Sequence, residues 1–232
     1  LVSKHRWLVG MHKLFFGSIG SLAETSRLQL EAYNEAFAQS GLGWHWSETA
    51  YQTMLLCAGG YDRVVSYAQT REDVVNAAEL HRMKSEIYRN LLRSRVVKPR
   101  PGVIEAIEYV RSNNGKLALV TSTSLDNVRQ LLEKLAIPED VFDLIVHNGV
   151  IARPKPHPDA YLYALDQLNV SARDVLSVED NPDGALAATR SGTNCLAVPG
   201  SFHCASNFVD VMAVQSALDV GAFLTFPSRA AA

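Results

Sequence analysis

Apolar residues fall along this chain in two rhythms. KLFF (13–16), LALV (117–120), DLIV (143–146), VLSV (175–178) and CLAV (195–198) are short, nearly unbroken apolar runs. Runs of that kind, apolar throughout rather than alternating, predict strands of a parallel sheet covered on both faces. Between the later runs, apolar residues return every three or four positions. Val103, Ile104, Ile107 and Val110 form one stripe, Val128, Leu131, Leu132 and Leu135 a second, and Tyr161, Leu162, Leu165 and Leu168 a third. Each stripe lies along one face of a helix. Strand and helix alternate from about residue 100 onward, which predicts an α/β fold with a doubly wound, Rossmann-like core.

Residues 26–98 keep only the helical rhythm. Leu28, Ala32, Tyr33, Ala36 and Phe37 predict an amphipathic helix closed by Gly41 and Gly43. Further helices are expected around 47–57, 62–69 and 72–93, with no strand among them. The segment ends at Lys98-Pro99-Arg100-Pro101-Gly102, a stiff hinge. The expected organisation is an N-terminal extension (1–10), a core built from 11–25 and 99–225, a helical insertion (26–98) and a loose tail (226–232).

Composition narrows the class. A net charge of −2 with no like-charge run gives no reason to expect nucleic acid or an anionic membrane as partner. No apolar run approaches the ~20 residues that cross a bilayer, so no membrane insertion is expected. Cys57, Cys195 and Cys204 are odd in number and form no C-x-x-C pair. They fit a soluble protein of a reducing compartment, either the cytoplasm or the matrix of a mitochondrion or plastid.

Three segments carry candidate chemistry. SVEDNPDGALAATRSG (177–192) sets Glu179 and Asp180 at the carboxyl end of a strand, where open α/β sheets gather ligands. Paired carboxylates there suit a hard cation, and equally suit a helix start capped by Asp180 or Asn181. RPKPHPDAY (153–161) holds Lys155 on a stiff loop, able to neutralise a phosphate or simply solvated. VTSTSLDNV (120–128) ends a strand in hydroxyls, so that Thr121 and the amides after it can hold a phosphoryl group while Ser124 caps the helix.

In this order these segments resemble the haloacid dehalogenase superfamily of phosphohydrolases, most closely the CbbY-type and β-phosphoglucomutase branch. Trp44-x-Trp46, Gly59-Gly60-x-x-Arg63, Arg100-Pro101-Gly102, Thr123-Ser124-Leu125-x-Asn127-Val128 and Val198-Pro199-Gly200 carry the likeness, from about residue 12 to 220. The resemblance implies a Rossmann-like core with a helical cap after the first motif. It further implies that Thr121, Ser21 and Arg63 bind phosphate, that Lys155 steadies the phosphate charge, and that Glu179 and Asp180 help hold magnesium.

The first motif departs from that pattern. Where the family reads D-x-D-G-T-L, this chain reads Gly17-Ser18-Ile19-Gly20-Ser21-Leu22, and residues 1–23 contain no Asp or Glu. By the resemblance Gly17 stands at the nucleophile and Ile19 at the acid/base. Glycine cannot form an aspartyl-phosphate, and isoleucine cannot exchange a proton. Ser18 is the nearest hydroxyl, but a strand-like approach is expected to turn it away, and no base is evident for it. The cap differs too, with Gln29-Leu30 and Tyr61 where the family carries a His-Arg pair and a lysine.

These departures lead to the expectation of a catalytically inactive member, kept as a scaffold subunit among other proteins. Any exposed aromatics would mark its contacts, with Trp7, Tyr61, Phe202, Phe208 and Phe223 the candidates and most of them expected in the core. No cofactor is expected beyond weakly held magnesium, with Lys155 and the acids satisfying one another as a buried pair. Two alternatives stand beside this: a sugar-phosphate phosphatase or mutase with an unusual nucleophile, and a non-catalytic sugar-phosphate sensor.

Overall fold

All five apolar runs are strands, and their order in space explains why the candidate residues meet. The computed structural model describes residues 12–55, 59–219 and 221. Trp7, Cys57, Phe223, the N-terminal extension and the tail lie outside the described residues. The strands are β1 (Lys13–Phe16), β2 (Lys116–Val120), β3 (Leu144–Val146), β4 (Leu176–Glu179), β5 (Asn194–Ala197) and a two-residue β6 (Ala213–Val214). They form one sheet in the order β3-β2-β1-β4-β5-β6. Every pairing is parallel. All the carboxyl ends therefore share one edge, and β1 lies at the centre between β2 and β4.

Residues two apart on a strand share a face. Leu14 and Phe16 enter one apolar cluster with Leu117, Leu119, Leu176 and Val178. Phe15 enters the opposite cluster with Ala118, Val120 and Val146. The first face is covered by α6 (Val103–Ser112) and α7 (Leu125–Lys134), the second by α8 (Asp159–Leu168) and α9 (Pro182–Arg190).

After β1 comes a four-residue helix, α1 (Ile19–Leu22), and then four longer ones: α2 (Ser26–Gln39), α3 (Glu48–Met54), α4 (Gly60–Arg71) and α5 (Ala77–Ser94). They enclose a core of their own, built on Tyr33, Phe37, Trp44, Trp46 and Tyr51. The helix expected over 72–93 begins later. Glu72 closes α4 in the left-handed conformation, and Asn76 caps α5 by accepting from the Glu79 amide, so 72–76 is a connection. At the hinge, Arg100 donates to the carbonyls of Gly20 and Pro199. Gly102 has φ of 84°, and a Cβ there would strike the Leu218 carbonyl, so this turn requires glycine. The strand β6 escaped the sequence reading because two residues carry no periodicity.

The aromatics expected at an interface divide. Phe202 and Phe208 are buried, Phe202 against Tyr51, in keeping with the core reading of most of these aromatics; Tyr61 is 46% exposed. Among the described residues no helix is long and apolar enough to cross a membrane.

Candidate active site

The loop leaving β1 organises the site. The Gly17 amide continues the ladder to the Val178 carbonyl at 2.8 Å, and Ser18 then caps α1 in an extended conformation. The Ser18 oxygen accepts from the amides of Gly20 at 3.0 Å and Ser21 at 3.2 Å, and its hydroxyl donates to Asp180 Oδ1. Ser18 therefore does not turn away from the site, and its partner Asp180 could not be foreseen locally, since 162 positions separate them. Gly20 makes the meeting possible, because a Cβ there would overlap the Asp180 carboxylate. Ile19 packs against the core cluster. Ser21 is buried and donates to the Ser18 carbonyl at 2.6 Å. It is a structural part of the loop, which corrects its expected role in binding phosphate.

Lys155 and Glu179 form the buried pair. The ammonium donates to Glu179 Oε1 at 2.5 Å, to the Val120 carbonyl at 2.8 Å and to the Gly17 carbonyl, and it lies 4.7 Å from the Tyr161 ring centroid. The Tyr161 hydroxyl also donates to Glu179 Oε1, at 2.6 Å. Burial pushes the Glu179 carboxyl up, opposed by the Lys155 charge. The same carboxylate fills the room a side chain at position 17 would need, since a Cβ on Gly17 would overlap both it and the Tyr161 hydroxyl.

These contacts decide how far the residues fit magnesium. A hard divalent cation asks for several oxygen ligands, at least one or two of them carboxylates it can reach. Glu179 is fully buried, its Oε1 held by Lys155 and Tyr161, while its unpartnered Oε2 is packed against Gly184. Asp180 Oδ1 is shared by Ser18 and Asn181. Among the described residues no group of three or more His, Cys, Asp or Glu side chains could hold an ion. As they stand these donors do not fit a magnesium centre, and the buried pairing of Lys155 with Glu179, the other reading of these residues, is the arrangement present.

A cleft of about 780 Å³ opens between the sheet edge and the inserted helices. Gly17, Ser18, Thr121, Ser122, Thr123 and Lys155 line its floor. The inserted helices supply Gln29, Tyr33, Arg63, His81, Lys84 and Arg89. Thr121 is where the hydroxyl reading put it, its Oγ1 accepting from the Thr123 amide at 3.1 Å. The Arg63 guanidinium lies over the Tyr51 ring and donates to the Met54 carbonyl. Burial lowers His81, and the Lys84 and Arg63 charges add to the effect.

Lys84 was missed in the sequence. It donates to Gln29 Oε1 and sits 4.7 Å and 5.4 Å from the ring centroids of Tyr33 and Tyr88, with no described carboxylate in ion-pair contact. Burial, reinforced by the Arg63 charge, brings its amine down to about 7. One signal was available: the buried residues of α5 are Leu80, Lys84, Tyr88 and Leu92, a lysine in an otherwise apolar stripe of period four.

Comparison with known proteins places this architecture. Residues 20–198 match the family described as haloacid dehalogenase-like hydrolase. Protein CbbY of Rhodobacter capsulatus is 33% identical over 203 residues, covering 84% of this chain and 88% of that protein. A phosphorylated carbohydrates phosphatase of Thermotoga maritima is 31% identical over 185 residues, covering 78% of this chain and 82% of that protein. The crystal structure of a CbbY variant from Rhodobacter sphaeroides in complex with xylulose-(1,5)bisphosphate has a TM-score of 0.82 at 29% identity, covering 89% of this chain and 94% of that one. These findings overturn the expectation of an inactive scaffold. The relatives include a named phosphatase and a protein solved with a sugar bisphosphate, and none of them supports a scaffold role. With its parallel sheet, its inserted helices and this match over most of its length, the chain belongs to the haloacid dehalogenase-like hydrolase family.

Proposed function

We propose that this protein is a phosphatase of phosphorylated sugars that works with a nucleophile other than a first-motif aspartate. One observation carries the reading. The cleft joins a floor of hydroxyls and the Lys155 ammonium to an opposite wall bearing Arg63, His81, Lys84 and Arg89. Hydroxyls and a fixed cation suit a phosphoryl group at the sheet edge. The basic wall suits the rest of an anionic sugar, and the relatives' named substrates and ligands agree with that chemistry. Its test is release of inorganic phosphate by the purified chain from a panel of sugar mono- and bisphosphates that includes xylulose 1,5-bisphosphate. Release is expected, and because the carboxylates do not fit a magnesium centre it is expected to continue in EDTA. Silence across the panel, with and without magnesium, would overturn the reading.

Lys84 gives the cleft a proton-linked grip. Its amine titrates near 7 in the folded protein against an ordinary 10.5. Between those values the unfolded chain holds a proton that the folded one has released, so this group makes stability rise with pH across the window. Lys84→Met is expected to flatten that rise. An anion entering the cleft favours the charged amine, so binding one unit above its pKa should draw in a proton. Calorimetry of xylulose 1,5-bisphosphate binding in buffers of different ionisation enthalpy measures the uptake. Identical apparent enthalpies in every buffer, unchanged by Lys84→Met, would remove the idea.

A further inference from the structure

We infer that Ser18 is the nucleophile of this site and Asp180 the base that receives its proton. The inference rests on the phosphatase reading and names the groups that do its chemistry. Ser18 lines the cleft floor beside Gly17, Thr121 and Lys155. Its hydroxyl donates to Asp180, a largely buried carboxylate, while the Gly20 and Ser21 amides fix the oxygen from the other side. A nucleophile bonded to a base that is itself held in place is the arrangement hydroxyl activation requires. Asn181 is the group that holds Asp180, donating to the same Oδ1 at 3.1 Å.

The other candidates in the cleft do not share this arrangement. Thr121, Ser122 and Thr123 accept hydrogen bonds from nitrogens, as Ser18 does, but among the described residues none of their hydroxyls is bonded to a carboxylate. Neither Glu179 nor Asp180 lines the cleft itself, but Asp180 is bonded to Ser18, which does, whereas Glu179 is held by Lys155 and Tyr161. Lys155, bonded to the Gly17 carbonyl one residue from Ser18, brings a positive charge to the place where phosphoryl oxygens would gather.

The reaction balances without a co-reactant other than water. Ser18 Oγ attacks phosphorus as its proton passes to Asp180; the Oγ–P bond forms and the bond from phosphorus to the sugar oxygen breaks. Asp180 returns the proton to the departing sugar oxygen. Water then attacks the phosphoserine phosphorus and gives one proton to Asp180. The Oγ–P bond breaks, Ser18 recovers that proton, and inorganic phosphate leaves.

The test uses the full chain and para-nitrophenyl phosphate, with acid quenching and peptide mass spectrometry beside steady-state rates, and with the sugar panel run in parallel. The expected results are one phosphoryl mass on the Ser18 peptide, resistant to hydroxylamine, and a turnover loss of about 10³-fold or more in Ser18→Ala. Asp180→Asn keeps the nucleophile and is expected to lose about 10²- to 10⁴-fold. Circular dichroism verifies that both variants fold. Turnover that survives Ser18→Ala, or a label that hydroxylamine removes as it would an acyl phosphate, overturns the assignment and leaves the phosphatase reading standing. Absence of phosphate release by the unaltered chain from every ester tested overturns the phosphatase reading, and the assignment falls with it.

Discussion

Lys155→Met is expected to destabilise the protein by about 3–5 kcal/mol, the usual result of leaving one partner of a buried pair without the other. The ammonium satisfies Glu179 and two backbone carbonyls at once, and little water reaches the pair, whose side chains are 7% and 0% exposed. Methionine preserves the bulk over Tyr161 and removes the charge. Glu179 would then stay folded by binding a proton. An acid whose folded pKa is raised holds its proton in the native state over a window where the unfolded chain has lost it. Stability therefore falls as pH rises through that window. The deficit of the variant should be small in mild acid and grow toward neutrality. Adding Glu179→Gln should return most of the loss, which a double-mutant cycle in urea resolves. A single variant within about 1 kcal/mol of the parent at neutral pH would show that the pair is not a unit. The same substitution removes the only lysine on the cleft floor among the described residues, so phosphate binding should vanish in both variants.

Trp46→Ala is expected to cost a similar ~3–5 kcal/mol, through a different cause. The indole is 1% exposed, with ring centroids of Tyr33 at 4.7 Å, Phe37 at 4.8 Å and Tyr67 at 5.3 Å. Deleting it leaves a cavity those rigid neighbours cannot close. The loss belongs mainly to the inserted helices, whose core takes in Phe202 from outside them and shares the partly buried Ile87 with the first sheet cluster. Hydrogen exchange should therefore quicken first in α2 and α4 and hardly at all in β1, β2 and β4. Uniform quickening across the sheet would contradict an independent core. Because Tyr33 and Arg63 stand on those same helices, substrate affinity should fall with stability in this variant.

The sheet was legible because its signal is local. KLFF is a strand over the same four residues that its apolar run marks, and the residues that follow it close the ladder through Gly17. The buried Lys155–Glu179 pair was legible as well, since a lysine on a stiff loop and an acid at a strand end, both at one sheet edge, can satisfy one another. What was not legible depends on distance in sequence. Nothing near Ser18 announces Asp180, and the turn of Ser21 into its own loop is set by a hydrogen bond rather than by its residue type. Lys84 hid because a stripe of period four reads as apolar even when one of its members is charged. The expectation of a scaffold rested on Gly17, Ile19 and the altered cap positions, and what overturns it lies outside the chain, in relatives that include a named phosphatase and a protein solved with a sugar bisphosphate.

The carboxylate of Glu179 over Gly17 has a consequence for the routes by which such a site can change. An aspartate at position 17 is one substitution away in residue terms, yet it would enter space already taken by Glu179 and the Tyr161 hydroxyl. Room at position 17 would come from a shift of the Glu179 carboxylate and the Tyr161 hydroxyl, both side-chain ends, and that shift would stretch the bond from Lys155. The glycine thus couples the content of position 17 to the strength of the buried ion pair: a side chain added there is felt first at Lys155.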